Sequence, residues 1–158
     1  MNFRRIIILS GILFTIHNID EIWGLNKLKS PTISLPFALP DTHHIIWAIV
    51  LITIIAWIII CYLLFNNSPQ KQRLFLTGIT AMFLGNAIMP HILLSIWLKQ
   101  LTPGVCTALL LYLPFCYWSL PKIYNLSDSP WQFFKASFLG IFISIALVQI
   151  LHVTLRLV

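Results

Sequence analysis

Residues 43–65 read HHIIWAIVLITIIAWIIICYLLF, and this stretch decides the fold class. After its two opening histidines, apolar side chains recur on every face that a helix would present. A helix of this length, rising ~1.5 Å per residue, is long enough to cross a hydrocarbon core of ~30 Å. The segment therefore predicts a transmembrane α-helix.

The rest of the chain has the same apolar character. Of its 158 residues, 59% are hydrophobic and 9% are charged, whereas soluble domains carry about 25% charged residues. Four further apolar segments flank the first one, so the predicted spans are 6–25, 43–65, 73–98, 105–120 and 131–157. We predict a single all-α membrane domain, 1–158, a bundle of about five transmembrane helices with four as the alternative.

Proline and turn residues separate these segments. Pro31, Pro36 and Pro40 interrupt the stretch between the first and second segments, which predicts a proline-rich loop that lies on the membrane surface or folds back. Pro90 falls inside the third segment and predicts a kink there. Short polar or glycine-containing turns at 66–69, 102–104 and 127–130 separate the later segments.

The net charge of +6 does not indicate nucleic-acid binding, because the ten basic residues are scattered at segment ends. Such residues anchor helices at anionic headgroups. With the N-terminus inside, six basic residues face the cytoplasm and four face outward. This bias predicts a cytoplasmic N-terminus in the cell membrane. The first apolar run lacks a small-residue cleavage site, so we expect a retained helix.

Ionisable and amide side chains occur at matching places in the odd-numbered segments. Each of these side chains lies twelve to eighteen residues past a basic residue at the start of its segment. This spacing corresponds to about 18 to about 27 Å along the helix from that residue. Odd-numbered spans run in the same direction, so these groups are expected to meet in one layer. They are His17, Asp20 and Glu21 in the first segment, Asn86 and His91 in the third, and Gln149 and His152 in the fifth.

Carboxylates at such a depth are unfavourable unless they are neutralised. Each costs roughly 2.5–3.5 kcal/mol at the bilayer centre and less near an interface. The acids are therefore protonated, paired with histidinium, or bound to a divalent cation. Imidazole and carboxylate groups from neighbouring helices suit zinc or iron. The alternative is that these residues are interfacial, or hydrogen-bond between helices at the Pro90 kink.

The residues that carry this pattern also resemble a known family, the HXXEE-domain membrane proteins. Residues 17–21, HNIDE, are similar to the naming motif, with Asp20 in place of the first glutamate. Residues 86–91, 101–105 and 107–109 are similar to its second block, where Asn86 and His91 stand five positions apart rather than about four. The resemblance implies a small multi-span protein whose shared His, Glu and Asn residues form a suspected active site. His17, Glu21 and His91 carry it most directly.

These observations predict an intramembrane enzyme acting on a lipid-like or isoprenoid-like apolar or amphiphilic substrate. In the metal-dependent form, a zinc or iron ion is held by His17, Glu21, His91 and His152, and Asp20 is a supporting group or general base. Asn86 and Gln149 are supporting polar residues. In the metal-free alternative, Glu21 and a histidine carry out acid–base isomerisation or cyclisation. The second alternative is a non-catalytic protein, either a proton or ion relay or a subunit that binds lipid or a partner, with oligomerisation expected for transport.

Overall fold

The computed structural model describes residues 3–25, 42–66, 68–127 and 129–154, and these residues form an all-helical bundle of five helices. The fold class predicted from the sequence is thus confirmed. The predicted proline-rich loop falls within residues 26–41, outside the described residues. The five helices are α1 (Phe3–Leu25), α2 (Thr42–Asn66), α3 (Pro69–Leu98), α4 (105–125) and α5 (Pro130–Thr154).

Two helices extend beyond their predicted bounds for local reasons. The third begins at Pro69 rather than residue 73, because the Ser68 hydroxyl accepts a hydrogen bond from the Lys71 N–H and Pro69 has no N–H to satisfy. The fourth continues past residue 120 through Pro121 and ends at Asn125.

The kink predicted at Pro90 is present and has a defined shape. Helix α3 is broken within Ala87–Ile92, where Met89 has non-helical angles of φ −122° and ψ 119°. The helix then resumes as Leu93–Leu98 and ends at Lys99 in the left-handed conformation. Helix α4 likewise opens with a short α-turn, Val105–Thr107, followed by the π-turn Ala108–Tyr112. Both irregular turns lie at the same end of the bundle.

Helices α1 and α3 run in the same direction, as predicted for odd-numbered spans. The Phe14 and Phe83 rings stack with centroids 6.1 Å apart, and three residues further along each helix His17 meets Asn86. Equal steps along two helices between successive contacts require a parallel arrangement. The third helix thus lies at the centre of the bundle, with α1, α4 and α5 packed around it.

The outer helices are attached by different kinds of contact. Helix α2 packs on α1 through polar pairs, in which the Asn18 amide donates to Thr53 Oγ1 at 2.6 Å and the Trp57 indole donates to Thr15 Oγ1 at 2.9 Å. Helix α5 approaches α3 at glycine, since a Cβ atom on Gly140 would overlap the backbone of α3. Small residues permit this close approach between membrane helices.

Among the described residues, three helices, α1, α2 and α3, are long and apolar enough to cross a membrane. The outward faces of the bundle are apolar as well, with Ile58 63% exposed on α2 and Phe138 72% exposed on α5. Exposed apolar surface of this extent is unfavourable in water and favourable in lipid. The protein is therefore a membrane-embedded helical bundle.

Candidate metal centre

Three predicted site residues meet where α1 passes the break in α3. His17 and Glu21 lie one turn apart on α1, and His91 lies in the irregular part of α3. One ligand atom of each, two ring nitrogens and a carboxylate oxygen, lie within 4.8 Å of one another. Both imidazoles are buried, with His17 fully inaccessible and His91 2% exposed, while Glu21 is half-buried.

The two imidazoles face each other through the same type of nitrogen. The Nε2 atoms of His17 and His91 are 3.1 Å apart, and the rings meet edge to face. The side-chain amide nitrogen of Asn86 lies 3.2 Å from the first Nε2 and 3.3 Å from the second. The amide can therefore donate one hydrogen to each ring, and all three polar groups converge on one point.

The break in α3 explains how Asn86 reaches His91. Five positions separate the two residues, and in a regular α-helix a step of five turns a side chain well away from the first. The backbone leaves the helical conformation at Met89, between the two residues, and the Asn86 amide nitrogen lies 3.3 Å from Nε2 of His91. Asn86 therefore faces the cluster because the helix is irregular where Pro90 interrupts it.

Asp20 reaches the cluster indirectly, through Thr107 at the start of α4. The carboxylate accepts hydrogen bonds from the Thr107 hydroxyl at 2.9 Å and from the Thr107 N–H at 3.3 Å. The same hydroxyl lies 2.8 Å from Nδ1 of His17 and 3.0 Å from the Gly104 carbonyl. The hydroxyl has a single proton, and the Asp20 carboxylate and the Gly104 carbonyl can only accept it. Nδ1 of His17 has to carry the proton of its own contact with the hydroxyl, so Nδ1 is the donor. Nε2 of His17 is then left with its lone pair directed at the cluster.

The turn between α3 and α4 holds the other face of His91. Nδ1 of His91 lies against Gly104 and has no hydrogen-bond partner of ordinary geometry among the described residues. Nε2 of the same ring faces Nε2 of His17 and the side-chain amide of Asn86. The Thr102 hydroxyl donates to the His91 carbonyl at 3.0 Å and fixes the turn against α3.

Gly104 is required by both its backbone and its neighbours. Its φ of 77° lies in the left-handed region, and a Cβ atom there would lie 2.9 Å from Cε1 of His91 and 3.0 Å from Cε1 of His17. The opposite side is closed by aromatic rings, since Tyr112 packs on His17 with centroids 4.3 Å apart and stacks on Phe83 at 4.0 Å. The two imidazoles are thus held between a glycine turn and an aromatic stack.

This site carries the motif by which the chain can be compared with other proteins. A family profile described as "Protein of unknown function with HXXEE motif" matches residues 8–119, well over half of the chain. The chain belongs to the HXXEE family. Its motif, residues 17–21, contributes His17 and Glu21 to the cluster and Asp20 to the bond with Thr107.

One relative of this HXXEE protein comes from Bacillus subtilis (strain 168) and is named "Uncharacterized protein YrkK". The two are 29% identical over 101 residues, an alignment that covers 63% of this chain and 63% of the relative. The comparison thus spans less than two thirds of the relative's length. No solved structure matches the chain.

The donor set of the HXXEE site fits a divalent cation on three grounds. Both Nε2 atoms face one place, and a carboxylate lies beside them. Ligands of a tetrahedral zinc at ~2.0–2.1 Å are about 3.3–3.4 Å apart, close to the 3.1 Å between the two Nε2 atoms. The second nitrogen of His17 is bonded through Thr107 to a carboxylate, which is the usual support for a metal-binding imidazole.

Five of the predicted site residues lie together at this point: His17, Asp20, Glu21, Asn86 and His91. Gln149 and His152 belong to α5, and their side chains lie outside the described part of the structure.

Two residues of the HXXEE site were not selected from the sequence, Thr107 and Tyr112. A threonine and a tyrosine in an apolar span give no charge signal. The available clue was the position of Thr107 just after the turn 102–104, at the end of the bundle where α1 carries its motif.

Proposed function

We propose that the HXXEE protein is an intramembrane enzyme that holds a zinc or iron ion on His17, Glu21 and His91 and acts on an apolar or amphiphilic substrate. The observation that carries the proposal is the convergence of two buried imidazole nitrogens and a carboxylate at one point. Buried groups of this kind are unfavourable without a cation or a proton to share. His152 on α5 is proposed as a further ligand.

Each surrounding residue has a role that follows from its contacts. Asp20 and Thr107 hold the proton of His17 on Nδ1, so that Nε2 stays a ligand. Asn86 is within hydrogen-bond distance of both Nε2 atoms and can stabilise charge that develops between them. Glu21 is the least buried of the three ligands and is placed to accept or deliver a proton. A bound divalent ion would supply Lewis acidity and an activated water.

The surroundings of the site favour a substrate that is delivered from the bilayer. The cluster lies between membrane helices, and the neighbouring residues Ile88 and Met89 at the break in α3 are exposed toward lipid. A lipid-like or isoprenoid-like molecule can approach by this route, whereas a polar metabolite would have to be desolvated. We further propose that the protein lies in the cell membrane with its N-terminus in the cytoplasm, which places the site in the outer half of the bilayer.

A direct test is conversion of lipid by the reconstituted protein. Purified wild type, loaded with zinc or iron(II), is placed in liposomes made from a total membrane lipid extract, and the lipids are followed by mass spectrometry. We expect a time-dependent mass change in one apolar or amphiphilic class. Glu21→Gln should slow it by about 10²-fold or more, because a positioned acid–base group contributes at least that factor. His44→Ala, which changes an imidazole outside the cluster, is the matched control.

The same experiment separates the alternatives. Conversion that persists in the presence of a chelator but is lost in Glu21→Gln would indicate metal-free acid–base isomerisation or cyclisation. Identical lipid profiles for wild type and Glu21→Gln would contradict the enzyme proposal. Proton flux in the same vesicles, lost in Glu21→Gln, would then favour a non-catalytic relay.

A further inference from the structure

A cavity of about 640 Å³ lies in the other half of the bundle, toward the start of α1. Its volume is in the range of ~300–1,000 Å³ that is usual for small-molecule sites. Helices α1 and α3 form its floor, α2 forms one wall and α5 the other. The cavity lining does not include His17, Glu21 or His91, which form the cluster at the metal centre.

The cavity opens sideways into the membrane. Helix α2 packs mainly on α1, and α5 packs mainly on α3, so a cleft remains between the two outer helices. The wall residues Ile55 and Leu139 are 46% and 56% exposed, which shows that the cleft is open rather than sealed. At this depth the surrounding solvent is the hydrocarbon of the bilayer, so lipid chains have direct access.

The polar side chains of the cavity lining are concentrated at one end. Almost all of the lining is apolar. Apart from Ser10, whose hydroxyl donates to the Ile7 carbonyl, its polar side chains are Gln70, Gln132 and Lys135 at one end. Gln70 and Gln132 belong to the first turns of α3 and α5, so this end lies at the membrane surface. The Lys135 ammonium lies 5.4 Å from the centre of the Trp131 ring, at headgroup level. A cation above an apolar cleft is complementary to an anionic head on an apolar chain.

We propose that this cleft binds one acyl chain of an anionic phospholipid of the bilayer, with the phosphate held by Lys135, Gln70 and Gln132. The site is separate from the metal centre. Phe14 lines its inner end, and the stacked rings of Phe83 and Tyr112 lie between Phe14 and His17. The bound phospholipid fills the gap between α2 and α5 as a resident partner of the fold.

Recognition of the anionic headgroup is tested by native mass spectrometry of the purified full chain, supplied with phosphatidylglycerol or phosphatidylcholine. We expect about five-fold stronger retention of phosphatidylglycerol, because a single basic residue contributes roughly this factor for anionic lipid. Lys135→Gln should remove the preference. Lys122→Gln should keep the preference for phosphatidylglycerol. Lys122 is a matched control because its ammonium also lies over a tryptophan four residues earlier, 3.9 Å from the centre of the Trp118 ring.

Binding of the acyl chain is tested with two neighbouring isoleucines of α2. Ile55 lines the cleft and Ile54 does not, yet they are similarly exposed at 46% and 51%. Ile55→Trp should abolish retention of phosphatidylglycerol, while Ile54→Trp should retain it. Any one of three results would overturn the proposal. Wild type retains the two lipids equally, Lys135→Gln and Lys122→Gln have equal effects, or a second copy of the chain is cross-linked across the cleft. Glu21→Gln should retain phosphatidylglycerol like wild type, so failure here and failure of the enzyme proposal are distinguishable.

Discussion

Thr107 is the residue that determines the orientation and tautomer of His17. Its hydroxyl connects the Asp20 carboxylate to Nδ1 of the imidazole, with distances of 2.9 and 2.8 Å. The shorter aspartate side chain of this HXXEE motif therefore reaches a hydroxyl rather than the cluster itself. The consequence is a ring held with its lone pair on Nε2, ready to bind a cation.

Replacing Thr107 tests this support. Thr107→Val keeps the shape of the side chain but removes the hydroxyl, and we expect zinc affinity to fall by about 10–100-fold, as for other losses of support behind a metal-binding histidine. Thr107→Ser should retain affinity near that of wild type. Isothermal titration of zinc into the purified protein measures both. Equal affinities for the valine and serine variants would show that the hydroxyl does not support a metal-binding imidazole.

The sequence predicted His17, Glu21, Asn86 and His91 because polar side chains inside apolar spans are costly and therefore conspicuous. It did not predict Thr107, since a threonine is tolerated almost anywhere in a membrane helix. Its role depends on the turn 102–104 placing the start of α4 beside α1, which is a tertiary relation. The ionisable and amide side chains of the site could thus be predicted from the sequence, whereas the hydrogen bonds that orient them could not.

At the scale of elements, the irregular part of α3 is what assembles the site. Pro90 signalled a kink in the sequence, but a kink alone does not specify which side chains come together. The break at Met89 allows residues five positions apart to meet and so directs Asn86 and His91 toward α1. A pattern based on regular helical periodicity does not predict this meeting.

The contact between α3 and α5 offers a prediction about packing. A Cβ atom on Gly140 would overlap the backbone at Gly78, whereas a Cβ atom on Gly78 would meet its nearest neighbour, the Ala136 carbonyl oxygen, at 3.6 Å. We therefore expect Gly140→Ala to lower the free energy of unfolding by about 1–3 kcal/mol. Gly78→Ala should be tolerated. Thermal unfolding in detergent, followed by circular dichroism, compares the two, and equal melting temperatures would contradict this packing.

For the whole molecule, the bundle was the most predictable feature. Long apolar segments leave little choice in a bilayer except helices, so the all-α fold followed from composition and segment length. Which helices neighbour one another did not follow. The central place of α3 depends on complementary shapes, such as Gly140 against Gly78 and the stacked rings of Phe14 and Phe83.

The proposed orientation in the membrane can be checked with two engineered cysteines. In a chain whose three native cysteines are replaced by alanine, Leu101→Cys marks the α3–α4 turn and Leu126→Cys the α4–α5 turn. With the N-terminus inside, a membrane-impermeant maleimide should label the first in intact cells. It should label the second only after permeabilisation. The opposite pattern would reverse the orientation and move the metal centre to the cytoplasmic half.

The central claim is that His17 and His91 bind one divalent ion together with Glu21. X-ray absorption at the zinc edge of the zinc-loaded protein measures this coordination directly. We predict one zinc per chain with at least two imidazole nitrogens at ~2.0–2.1 Å and a carboxylate oxygen, and the loss of an imidazole signal in His91→Ala. Failure to retain zinc, or a spectrum without imidazole ligands, would contradict the claim.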